Sequence, residues 1–119
     1  MTRGIAGSFG MDCQFDYQDG YPVLVNDPEM SKLVASACSE GIGKENVELL
    51  KPSMGGEDFA YYLQKVPGAF FRLGCRNESK GIVHPYHSNL FDVDEDVLPF
   101  GVEMFVRIVS RFLDLETVA

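Results

Sequence analysis

The chain has 119 residues, the length of one domain, and is 45% hydrophobic, which suits a chain with a buried core and not a disordered one. Eighteen acidic residues against ten basic ones leave a net charge of −8, a field that repels phosphate backbones and anionic bilayers, so neither nucleic acid nor a membrane is an expected partner. No apolar run is long enough to span a bilayer and "MTRGIAGSFG" lacks the apolar core of a secretion signal, which makes the cytoplasm the expected location.

Residues 1–10 read as the tail of a helix with no start. Phe9, Met11, Cys13, Phe15 and Tyr17 then alternate with Gly10, Asp12, Gln14 and Asp16, the period of a strand with one buried face. "QDGYP" supplies turn residues. Asp27-Pro28 follows as an N-cap with proline at the first helical position. Met30, Leu33, Val34, Ala37 and Cys38 recur at helical spacing and predict an amphipathic helix ending at Gly41.

"NVELLKP" predicts a short strand closed by Pro52. After "SMGGED" a second helix is predicted as far as Val66, with Phe59, Leu63 and Val66 on one side, and "VPG" ends it. "AFFRLGC" suits a buried strand. From Asp96 a long helix carries Val97, Met104, Phe105, Ile108, Val109, Phe112 and Leu113, with Pro99 tolerated in its first turn. Helices alternating with short buried strands predict an α/β fold. Cys13, Cys38 and Cys75 are odd in number and in no CxxC pair, so they read as reduced core residues.

Three stretches could carry chemistry. In "HPYHSNLFDVDED", His87 is the leading ligand candidate, because an imidazole beside carboxylates suits a divalent ion such as zinc. The alternative is that His84 and His87 cap the next helix or face solvent. Asp92, Asp94, Asp96 and Glu103 fall at positions 1, 3, 5 and 12 of a calcium loop, but Val97 stands where that loop needs glycine. Stabilisation of a helix start accounts better for the acidic run. In "MGGEDF", Gly55 and Gly56 offer close backbone approach before Glu57 and Asp58, or simply form a turn with acidic caps.

Taken together, "SMGGEDFAYYLQKVPGAFFRLG" and "HSNLFDVDEDVLPFGVEMFVRI" resemble the C-terminal part of the zinc-dependent amidohydrolases and aminoacylase-like metallopeptidases, the family of hippurate hydrolase, N-acyl-amino-acid amidohydrolases and indoleacetyl-amino-acid hydrolases. "GYPVLVND" resembles that family's return from a small lid domain into the catalytic domain. The resemblance implies a partial α/β metallopeptidase catalytic domain. Residues 1–20 would end the lid (dimerisation) domain, and 21–119 would form the C-terminal half of the catalytic domain.

By the same resemblance, the activity is hydrolysis of the amide bond of N-acyl amino acids or small peptides at a two-metal site. The metal in the intact enzyme would be zinc or manganese, His87 would be a metal ligand, and Gly55, Gly56 and Glu57 would line the substrate cleft. The sequence departs from the family at Asn89, where a proline is usual. It also contains no motif for the other ligands or the general base, so no catalytic residue is assigned. The chain is therefore expected to be a fragment that is inactive alone, holds no metal tightly and self-associates. The alternative is a non-catalytic association module with the family fold.

Overall fold

The computed structural model describes residues 1–114; the last five residues of the predicted 21–119 unit lie outside them. Four α-helices follow in chain order: α1 (Thr2–Ser8), α2 (Pro28–Ile42), α3 (Ala60–Leu63) and α4 (Leu98–Phe112). Single turns of 3-10 helix occupy Lys44–Asn46 and Glu95–Val97.

Local chemistry explains the ends of α2. The Asp27 carboxylate accepts from the N–H groups of Glu29 and Met30, both at 2.9 Å, and Pro28 stands where no N–H is needed. The helix runs through Gly41 and stops only where Gly43 takes φ 86°. Gly41 stays helical because α4 packs there: a Cβ at this position would fall on the Met104 methyl and lie 3.0 Å from Arg107 Nε.

The core sits between α2 and α4, where Ala37, Cys38 and Met104 are buried. Burial pushes the Cys38 thiol up, which keeps it protonated as a small apolar residue. Along the rim, Arg111 reaches Glu40 at 2.5 and 2.6 Å and also donates to Ser36. Residues 69–75 lie on α4, with Phe71 against Phe105 at 5.6 Å and the Leu73 methyl 3.0 Å from where a Gly101 Cβ would be. Phe59 of the turn before α3 packs on Phe70 with tilted rings at 5.7 Å, and Ala60 is buried.

None of the three predicted strands forms among the described residues, and the only β pairing is the isolated bridge between Asn77 and Ile82. The α/β expectation is corrected accordingly to a helical architecture with long irregular segments. A strand needs a neighbour to receive its N–H and C=O groups, and each of these segments finds other partners. In 11–17, Met11 N–H returns to Ala6 and Cys13 N–H goes to the Asp12 carboxylate. In "NVELLKP", Asn46 belongs to a 3-10 turn and Val47 N–H bonds Lys44. In "AFFRLGC", the Asn26 amide closes both backbone groups of Phe70, at 2.8 and 2.9 Å, and Cys75 C=O accepts from Asp94 N–H.

The second predicted helix is shorter than expected. It is α-helical only over Ala60–Leu63, and turns continue to Val66 before Pro67. The predicted long C-terminal helix forms, with Pro99 in its first turn. α1 buries no residue and packs on none of the other helical elements. The radius of gyration is 20.6 Å, against about 13–14 Å for a compact domain of this length.

Candidate functional site

His87 lies at an exposed loop tip. Pro85 starts the turn: its carbonyl accepts from Ser88 N–H at 3.2 Å, and the Ser88 carbonyl accepts from Phe91 N–H at 3.1 Å. Ser88 Oγ accepts from Leu90 N–H at 3.1 Å. Between these bonds His87 takes φ 66°, the left-handed region that residues other than glycine seldom adopt. Its ring meets the Tyr86 ring edge-on at 4.9 Å, and the Arg72 guanidinium lies over the same Tyr86 ring, 5.5 Å from its centroid. His84 is exposed at the loop's entrance.

The acidic run behind this loop is committed to structure. Asp94 caps the Glu95–Val97 turn, accepting from Asp96 N–H at 3.3 Å. It also accepts from the Asn77 amide at 2.6 Å and from Lys80 at 2.5 Å, and Lys80 reaches Asp96 at 2.5 Å as well. The Asp92 carboxylate accepts from Val93 N–H. Bonds from Lys80 and then Asn77 hold Asp94 below the usual carboxylate range, and the two aspartates push Lys80 up. Sequence reading missed Asn77 and Lys80. The signal for them was "NESKG", turn-forming residues with a lysine in an otherwise acidic neighbourhood.

The Gly55–Glu57 turn is a separate feature. Gly55 is open, with only Ser53 Oγ at 3.9 Å from a Cβ position, whereas a Gly56 Cβ would stand 3.0 Å from the Tyr21 ring. Tyr21 in turn meets Tyr61 edge-on at 6.0 Å. The Glu57 carboxylate accepts from Phe59 N–H at 3.1 Å, which caps the turn into α3. No hydrogen bond, ion pair or ring contact among the described residues joins this turn to His87.

Among the described residues, no three His, Cys, Asp or Glu side chains stand close enough to share an ion. A catalytic zinc takes three protein ligands and an open position, so these residues do not by themselves make a metal shell. An open groove against the start of α2 is lined by Asn26 and Asp27 together with Leu63 and Pro67. Of its polar side chains, Asn26 and Asp27 are already bonded to backbone, and Gln64 and Lys65 also line it.

Comparison with known proteins identifies the lineage. Residues 5–111 match the model of peptidase family M20/M25/M40. The chain belongs to that family. Among M20 relatives, it is 40% identical to thermostable carboxypeptidase 2 of Saccharolobus solfataricus over 94% of this chain and 28% of the relative. It is 35% identical to IAA-amino acid hydrolase ILR1-like 6 of Arabidopsis thaliana, over 91% of this chain and 24% of that one. Identity is also 35% to N-acetyldiaminopimelate deacetylase of Lactococcus lactis, over 98% of this chain and 28% of the relative. The chain thus spans about a quarter of the length of the curated M20 relatives it matches. No solved structure matches it with significance. No described helix is long and apolar enough to cross a membrane.

Proposed function

We propose that this chain is the C-terminal catalytic-domain portion of a metal-dependent hydrolase cleaving the amide bond of N-acyl amino acids or small peptides. His87 supplies one ligand to a zinc or manganese ion, and the Gly55–Glu57 turn lines the substrate cleft. The relatives named as a carboxypeptidase, an IAA-amino acid hydrolase and a deacetylase support the substrate class. The observation that carries the choice of His87 is its backbone: an exposed histidine held at φ 66° is a strained position, and strain of this kind collects at functional sites.

Each group has a defined task in this reading. The imidazole of His87 offers a nitrogen lone pair at the loop tip, and the bound ion would supply Lewis acidity. Gly55 leaves its backbone open to a substrate, while Tyr21 covers Gly56. Glu57 fixes the turn through Phe59 N–H. The division into a lid end at 1–20 and a catalytic unit from 21 is supported by α1, which packs on no other element. The exposed side chains of Phe100, Phe105 and Phe112 on α4 favour self-association and equally suit a non-catalytic association module.

The test is a chimera in which this chain replaces the matching segment of the carboxypeptidase relative. His87→Ala is expected to lower bound metal and abolish hydrolysis of N-acyl amino acids, and His84→Ala to leave both near the parent level. The reverse pattern refutes the ligand assignment. Retained hydrolysis in both variants removes the enzyme reading of this loop.

A further inference from the structure

The loop 83–93 that presents His87 is stapled at its base by one neighbouring segment. At the entry, Asn77 and Ile82 exchange both backbone bonds at 2.9 Å, and Arg76 donates to the Val83 carbonyl at 2.9 Å. At the exit, the Asn77 side chain donates to Asp94 at 2.6 Å, and Asp94 N–H donates to the Cys75 carbonyl at 3.2 Å. Asn77 therefore holds both ends of the loop. Lys80, in the turn that Gly81 closes at φ 73°, adds an ammonium between Asp94 and Asp96.

We infer that Asn77, Lys80 and Asp94 are positioning residues for His87, closing the base of the 83–93 loop so that its tip keeps the left-handed backbone on which the imidazole is presented. The inference rests on the reading of His87 as a ligand. A positive φ at a residue other than glycine persists where the surrounding structure over-determines it. The bonds within the tip are few and lie at the surface, so closure of the base must do much of that work. An exposed ion pair alone contributes little, but the Asp94 side chain is only 13% exposed and accepts from three separate donors. Groups that orient a ligand without touching the ion commonly govern its affinity.

The test uses nuclear magnetic resonance on the 119-residue chain, with His84 as internal control. The ring protons of His87 should carry a ring-current displacement from Tyr86. Lys80→Ala is expected to collapse that displacement and to raise amide exchange of Ser88 and Phe91 by about tenfold relative to α2. Lys80→Arg, which keeps the charge, should restore both, and Asn77→Ala should repeat the loss with an uncharged side chain. An unchanged His87 signal in Lys80→Ala, or equal loss of protection throughout α2, overturns the assignment. Failure of the ligand reading shows separately, as metal retained by His87→Ala in the chimera, and leaves these ring shifts untouched.

Discussion

Asp94 and Lys80 make stability depend on pH in a direction that their surroundings fix. The folded state holds Asp94 below its ordinary value of 3.8, so its contribution is present above that value and is lost as pH falls through the lowered one. Lys80 is raised above 10.5, so its contribution is present below 10.5 and lost only as pH rises through the raised value. Lys80→Ala should thus melt below the parent across neutral pH, and the gap should close in acid as Asp94 protonates. Thermal circular dichroism at a series of pH values checks this. The cap Asp27-Pro28 was legible in the sequence because its bonds span two or three residues. The staple at Asp94 was not, because Asn77 and Lys80 lie 17 and 14 residues away and only the fold brings them near.

The pairing of α2 with α4 rests on close approach at Gly41. Gly41→Ala would gain about 1 kcal/mol in helix propensity, but its methyl would meet the buried Met104 side chain and Arg107. Overpacking of about 1–3 kcal/mol should win. The expected outcome is a lower melting temperature for Gly41→Ala, measured by loss of helical signal; a higher one would show that Met104 moves aside freely. Helix periodicity revealed both partners, since Ala37, Cys38 and Met104 were all on the predicted apolar faces. It put the end of α2 at the wrong glycine, because Gly41 and Gly43 look alike in sequence and only Gly43 has the positive φ that stops a helix. The strand patterns in 11–17 and 69–75 did not translate into buried faces: Met11, Phe15 and Tyr17 are exposed, and Phe70, Phe71 and Cys75 are only half-buried, because a pattern along one segment carries no information about a pairing neighbour.

For the whole molecule, the extended shape and the small core predict behaviour in solution. With Phe100, Phe105 and Phe112 exposed along α4, and a net charge of −8 opposing contact, the chain should self-associate more as salt screens that repulsion. Sedimentation velocity at low and high ionic strength should show the average mass rising with salt, whereas a monomer under both conditions contradicts the prediction. The mode of association is constrained by Asn26. In an extended segment the N–H and C=O of one residue face the same side, so by binding both groups of Phe70 the Asn26 side chain blocks that flank of 69–75 to any incoming chain. Asp94 blocks the opposite flank at Cys75. The bond at Phe70 leaves Arg72 and Gly74 on its flank, and the bond at Cys75 leaves Phe71 and Leu73 on the other, intervals too short for fibril-like stacking to propagate. Copies of this chain should therefore gather reversibly, side chain against side chain, and redissolve on dilution.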